Sequence, residues 1–306
     1  MSDKSIDIEI EPLYNNLISK SKEELKDLHM QIFNTKPLFD VELSTLCNVN
    51  CKICPRDKIT RKIGIMTEEV FDILCHWLPD GCNLMFCGLG EPLMNPHVSK
   101  FIKKIKKRNI NTGITTNGLL LSSKIVSELL DSKIDMIQIS VNGFSQKTYD
   151  IICTKTNFNT LITNLKFLSN ISAKDLIKQI TVIEQKENKK DILKIKQFSI
   201  ENGFSFFLRS PHSRGGYLYK PAKYANFEGC GLFIKSAFIT WEGNIVSCCQ
   251  DLSGENCLGN IKNIKYEDLV EQKKNFIEKY KWFKMCHNCD DLFSRYVLLA
   301  NPSYID

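Results

Sequence analysis

The chain predicts an α/β fold built on a parallel sheet, and three features of its 306 residues predict it. Apolar, β-rich runs alternate with stretches of helical periodicity from Pro37 to about Arg209. Strands joined through helices run parallel, because each right-handed crossover returns the chain to the same end of the sheet. Residues suited to ligand chemistry fall just after the strands, where parallel sheets gather their ligands.

In order, residues 1–36 read as a polar leader too short to form a domain. A helix is expected near 22–33, where Leu25, Leu28 and Ile32 recur at helical spacing, and the segment is expected to lie as a strap across the main domain. Strands are expected at 38–43, 83–87, 110–115, 136–141, 177–183 and 205–209, with helices near 67–78, 96–107, 122–130, 158–169 and 191–201. Six strands and five helices satisfy either an open doubly wound sheet or a partial barrel. From about Glu228 the rhythm stops and the text becomes cysteine-rich, with a hairpin over 237–241 and 244–247 turning at Glu242-Gly243 and a helix near 266–278. The expected division is therefore 1–36 strap, 37–227 main domain and 228–306 C-terminal domain.

Composition narrows the function classes. Hydrophobic residues make up 43% and charged residues 25%, an ordinary globular balance with a core to bury. The net charge of +6 is modest, and the run Lys103-Lys104-Ile105-Lys106-Lys107-Arg108 reads as the solvated face of a helix. No basic stripe with interleaved aromatics supports a nucleic-acid partner. There is no apolar stretch of bilayer length, and the acidic, polar start does not resemble a secretory signal. Thirteen cysteines without such a signal argue for metal chemistry in a reducing cytoplasm.

Two sets of cysteines stand out. Cys47, Cys51 and Cys54 lie on one short loop after the first strand and offer three thiolates and no fourth. A structural zinc site takes four protein ligands, whereas a cubane held by three leaves one iron open. A zinc loop is the competing reading. Near the C-terminus, Cys230, Cys248, Cys286 and Cys289 supply four donors, enough to close a cluster or a zinc ion completely, with Cys249 or Cys257 as alternatives to Cys248.

Other motifs cluster at the strand ends. The second strand runs into Gly88-Leu89-Gly90-Glu91-Pro92, the third into Thr116-Asn117, and the fourth through Ser140 to Asn142. Glycines allow close backbone approach, while hydroxyls and amides hydrogen-bond sugar and carboxylate groups without adding charge. Each motif alone is also a common turn. After the sixth strand, Arg209, His212 and Arg214 are candidates to orient a substrate or move a proton.

The spacing Cys47-x3-Cys51-x2-Cys54 after a strand, with Ile53 before the last cysteine, resembles the radical SAM enzymes. That resemblance implies a partial (β/α)6 TIM-like barrel, a 4Fe–4S cluster on the three cysteines, and reductive cleavage of S-adenosylmethionine to a 5′-deoxyadenosyl radical. It implies that Ile53, Gly88, Gly90, Glu91, Thr116, Asn117, Ser140 and Asn142 contact the cofactor, Leu89 being a departure from the family's Gly-Gly-Glu-Pro element. The C-terminal set, with Gly243 between Cys230 and Cys248, is similar to the twitch form of the SPASM extension. No further cysteine follows Cys289, which implies one auxiliary 4Fe–4S cluster with full protein ligation. The region's layout resembles 2-deoxy-scyllo-inosamine dehydrogenase-type enzymes, implying dehydrogenation of a sugar- or cyclitol-like substrate with a flavodoxin or ferredoxin as reductant. Peptide maturation by thioether formation, crosslinking or epimerisation is the rival reading, and a zinc-binding adaptor the third.

Overall fold

The computed structural model describes residues 15–17, 19–154, 156–220, 229–279, 282–287, 289–297 and 300. The elements in chain order begin with α1 (Lys22–Phe33), β1 (Leu38–Val41), β2 (Asn50–Cys51), α2 (Glu68–Trp77), β3 (Asn83–Phe86), α3 (Val98–Lys106) and β4 (Asn111–Thr116). They continue as α4 (Ser123–Asp131), β5 (Met136–Ser140), α5 (Gln146–Ile152), β6 (Cys153–Thr154), α6 (Phe158–Ser169), β7 (Ile177–Ile183), α7 (Ile192–Glu201) and β8 (Ser205–Arg209). Then come α8 (Gly231–Lys235), β9 (Ser236–Ile239), β10 (Asn244–Val246), β11 (Cys257–Asn260), α9 (Tyr266–Glu278) and α10 (Lys284–His287).

Local chemistry explains the helix starts. Ser21 and Glu24 form a reciprocal capping box at α1, and the Thr67 side chain accepts from Val70 N at the head of α2. In α3, Val98, Phe101, Ile102 and Ile105 are buried, while the intervening lysines point outward and Lys100 and Lys104 pair with Glu68 and Asp72 of α2. The basic run is thus a solvated, ion-paired face.

Strands β1, β3, β4, β5, β7 and β8 are parallel neighbours in that order, the curved sheet of a partial TIM-like barrel. Their alternation separates two faces. Phe39, Val41, Phe86, Ile114, Ile137, Ile139, Ile180 and Val182 are buried beneath the helices, each contributing about 1.5–3 kcal/mol of burial. Asp40, Met85, Thr115, Gln138, Gln179, Phe207 and Arg209 occupy the opposite face and are only partly buried.

Two features lie outside the simple alternation. The crossover from β5 to β7 holds two helices and β6, where one helix is expected; α5 buries only Tyr149 and Ile152 and leaves too few apolar positions to show a period. The hairpin forms at the expected place, but β9 also pairs in parallel with β1, Leu38 opposite Ser236 and Val41 opposite Ile239. With β10 and β11 antiparallel beyond it, the sheet has nine strands in the order β11-β10-β9-β1-β3-β4-β5-β7-β8. The expected boundary at 227/228, and residues 1–14 of the strap, lie outside the described residues. No described helix is long and apolar enough to cross a membrane.

Candidate active site

The cysteine loop leaves the C-terminal end of β1 and is anchored on both sides. Gly64 N donates to Thr45 Oγ1 at 2.7 Å, and the Arg56 guanidinium donates to the carbonyls of Cys47 (3.2 Å) and Val49 (3.1 Å). Below it, Arg61 grips the fully buried Glu42 through two hydrogen bonds of 2.6 Å and donates its Nε to Leu252 O. A bidentate pair of this kind fixes direction as well as distance. Cys47, Cys51 and Cys54 are half-buried, and burial raises the Cys47 and Cys54 thiols; for Cys51 the hydrogen bond with Cys153 is the larger cause. A metal held by these thiols would therefore have to displace their protons.

The glycine element packs directly on that loop. A Cβ on Gly90 would lie 2.1 Å from Ser44 O and 2.5 Å from Leu46 O, so only glycine fits. Gly88 is similarly crowded by the Glu42 side chain at 2.7 Å. Glu91 is buried, accepting from Asn117 N at 2.8 Å and Leu93 N at 3.1 Å, and burial pushes its carboxyl up to about 7. Asn117 in turn donates Nδ2 to Asn48 Oδ1 at 2.8 Å and stands 3.8 Å from Cys47 Sγ. The ends of β1, β3 and β4 thus meet around the first cysteine.

The remaining expected contacts are placed differently. Thr116 is buried and accepts from Gly118 N, while Asn142 is buried with its Oδ1 accepting from Ile183 N at 3.1 Å, tying the ends of β5 and β7 together. Ser140 closes β5 on the inner face, and Ile53 is half-buried beside Cys54. Arg209 at the end of β8 pairs with Asp291 at 3.1 Å, and Asp291 also accepts from Gln250 and Ser294. Despite burial, Arg209 and His212 hold the Asp291 carboxyl below its ordinary range. His212 is 5% exposed with neither ring nitrogen partnered, and burial lowers it to about 4, so it is neutral at physiological pH. Arg214 lies close enough to favour the thiolates of Cys54, Cys87 and Cys249, against the burial that raises them.

Several inner-face residues were not singled out from sequence. Asp40 takes a hydrogen bond from the Cys87 thiol at 3.4 Å, and burial pushes its carboxyl up to about 6. Thr115 donates to Gln138 at 3.0 Å and Gln138 to Gln179 at 2.6 Å, a polar ladder across β4, β5 and β7. The available signal was period two: within 38–43, Asp40 and Glu42 fall on one strand face and Phe39, Val41 and Leu43 on the other.

At the C-terminal end, one pocket is lined by Cys230, Cys248, Cys286 and Cys289 together with Phe233, Ser247, Trp282 and Met285. Cys249 and Cys257 do not line it: Cys257 is exposed, and Cys249 lies within reach of Asp40 and Arg209 instead. Burial raises all four lining thiols, Cys286 to about 12. Among the described residues no three His, Cys, Asp or Glu side chains converge tightly enough for a single ion. What speaks for a cluster is the donor chemistry, three thiols on one loop and four around one pocket, since iron–sulfur clusters are held by thiolates.

The chain belongs to the radical SAM superfamily, whose family model matches residues 41–199, just over half of it. An iron-sulfur cluster-binding domain, SPASM, matches residues 230–290. An uncharacterized protein of Methanocaldococcus jannaschii is 31% identical over 143 residues, 46% of this chain, and the chain spans only about half (47%) of that relative's length. Among solved structures, BtrN in complex with AdoMet and 2-DOIA superposes with a TM-score of 0.60 at 18% identity, covering 84% of this chain and 94% of BtrN. Streptococcus suis SuiB bound to precursor peptide SuiA superposes at 0.64 and 16% identity, covering 96% of this chain and 78% of SuiB.

Proposed function

We propose that this radical SAM enzyme is a cytoplasmic oxidoreductase that removes two electrons from a secondary alcohol of a sugar- or cyclitol-like small molecule. The carrying observation is the single pocket that gathers Cys230, Cys248, Cys286 and Cys289. Four protein thiolates leave no iron of that cluster open to substrate, which suits it to accept an electron. The likeness to BtrN with 2-DOIA and the polar inner face are consistent with a hydroxylated substrate.

In this reading Cys47, Cys51 and Cys54 hold the reducing cluster. Gly88, Gly90, Glu91, Thr116, Asn117, Ser140, Asn142 and Ile53 cradle S-adenosylmethionine at the strand ends. The bound cofactors supply a one-electron cleavage that yields a 5′-deoxyadenosyl radical, reduced from outside by a flavodoxin or ferredoxin. The barrel's own residues do the rest. Gln138 and Gln179 orient substrate hydroxyls, Arg209 and Arg214 supply fixed positive charge, and neutral His212 offers a hydrogen bond. Asp40 takes the hydroxyl proton, since its carboxyl, raised to about 6, is ionised at neutral pH and still basic enough to accept. With those groups bound, oxidation to a ketone would balance as one hydrogen atom given up to the 5′-deoxyadenosyl radical, one proton to Asp40 and one electron to a cluster held by Cys230, Cys248, Cys286 and Cys289.

Anaerobic reconstitution tests the assignment: about eight iron and eight sulfide per chain, and 5′-deoxyadenosine formed on reduction with S-adenosylmethionine. Zinc without sulfide would return the adaptor reading. The likeness to SuiB with its precursor peptide favours the second reading, peptide maturation. Mass spectrometry separates the two: a loss of two hydrogens from an aminocyclitol or sugar supports dehydrogenation, and a modified peptide supports maturation.

A further inference from the structure

A fourth cysteine sits against the first cysteine set, on a segment that the cluster-binding motif does not include. β2 and β6 form a separate two-stranded antiparallel pair, with Cys51 directly opposite Cys153 and Asn50 opposite Thr154. Lys52 N donates to Ile152 O at 2.8 Å, and Thr154 Oγ1 donates to Asn50 O at 2.9 Å, so the register is held at both ends. Directly opposed residues put their side chains on one face of the pair. The two sulfurs are 3.5 Å apart, within hydrogen-bond distance for sulfur. Cys153 is 4% exposed, which keeps water from competing for the contact.

We propose that Cys153 is a positioning residue for the N-terminal cluster, its thiol donating an S–H hydrogen bond to the Cys51 sulfur while that sulfur is bound to iron. In the free chain either thiol of the pair can donate. A sulfur bound to a metal as thiolate has no proton to donate, so Cys51 could then only accept and Cys153 is the donor of the pair. The acceptor is then an anionic sulfur, which strengthens the bond. Hydrogen bonds to ligating sulfurs stabilise the more negative, reduced cluster and raise its potential. The extra helix and β6 in the β5–β7 crossover thereby acquire a role, since they carry this donor to the cysteine loop.

The inference rests on the assignment of Cys51 as a ligand, and the experiment separates the two. The full-length reconstituted chain is titrated electrochemically, following the electron paramagnetic resonance signal that changes on adding S-adenosylmethionine. Cys153→Ala and Cys153→Val are expected to lower the midpoint of that signal, reducing the reduced-to-oxidised ratio at fixed potential by roughly tenfold, about 59 mV for one electron. Cys153→Ser, which keeps a donor, is expected to restore most of the shift. A midpoint unchanged in the Ala and Val variants overturns the proposal. So does an equal shift in the Ser variant, which would mark a packing effect. Loss of iron from that cluster in both the Ala and Val variants, with circular dichroism unchanged, makes Cys153 a ligand and overturns it as well. Persistence of the responsive signal in Cys51→Ala instead removes the ligand assignment beneath it.

Discussion

Gly90 has no space for a methyl group, because the atoms it would strike are the carbonyl oxygens of Ser44 and Leu46 and not a side chain that could swing aside. Gly90→Ala is expected to cost about 1–3 kcal/mol of overpacking and to displace the cysteine loop. Chemical denaturation reads the first effect and the iron content after reconstitution reads the second; an Ala variant of wild-type stability would show that the loop yields freely. Asp40 makes a prediction of opposite sign. Its carboxyl is raised to about 6 from an ordinary 3.8, chiefly by burial, so the folded chain binds that proton more tightly than the unfolded chain. Its contribution favours folding below about 4 and is lost as pH rises through about 6. Asp40→Asn should therefore stabilise the chain by about 1–2 kcal/mol at pH 7.5 and not at pH 4, while abolishing dehydrogenation. Equal stability at pH 7.5 would mean that solvent already pays for the charge. The candidate ligands Cys47, Cys51 and Cys54 could be picked out because their spacing is local. Asp40, Arg61 and Cys153 were not, because what distinguishes them is a partner far along the chain: Cys87, Glu42 and Cys51.

The strands and helices of the barrel were readable for a related reason. Phe39 and Val41, Leu84 and Phe86, and Ile137 and Ile139 alternate at period two, and Phe101, Ile102 and Ile105 fall at helical spacing, so local patterning alone marks those elements. The hairpin strands β9 and β10 were equally readable, with Gly243 supplying the left-handed turn (φ +85°). What no local pattern carries is the parallel pairing of β9 with β1, since it joins strands from opposite ends of the chain. That pairing covers the β1 edge, which otherwise offers unpaired backbone groups. A chain ending at residue 228 should therefore aggregate or bind a second copy through Leu38–Val41. Size-exclusion chromatography against the full chain tests this, and a monodisperse, stable fragment would show that β1 does not need its C-terminal neighbour.

Across the molecule, the C-terminal pocket and the barrel mouth share one short segment. Cys286 and Cys289 line the pocket, while the next two residues reach the barrel: Asp290 accepts from Ser213 N at 2.9 Å, and Asp291 pairs with Arg209 at 3.1 Å. Under the proposed function, a substrate bound against the inner face would be linked to the second cluster through this segment. Removing that cluster separates cleavage from turnover. Cys286→Ala with Cys289→Ala should lower iron from about eight to about four per chain and leave Cys47, Cys51 and Cys54 loaded. Reductive cleavage of S-adenosylmethionine should persist, because Gly88–Glu91 and Asn117 contact the other set, while two-electron oxidation of substrate stops. Deuterium at the abstracted position distinguishes the outcomes: label passing into 5′-deoxyadenosine without ketone marks a hydrogen abstraction stranded for want of an electron acceptor. Ketone formed at the wild-type rate by the four-iron variant would show that the electron leaves by another path, and the auxiliary pocket would then be structural.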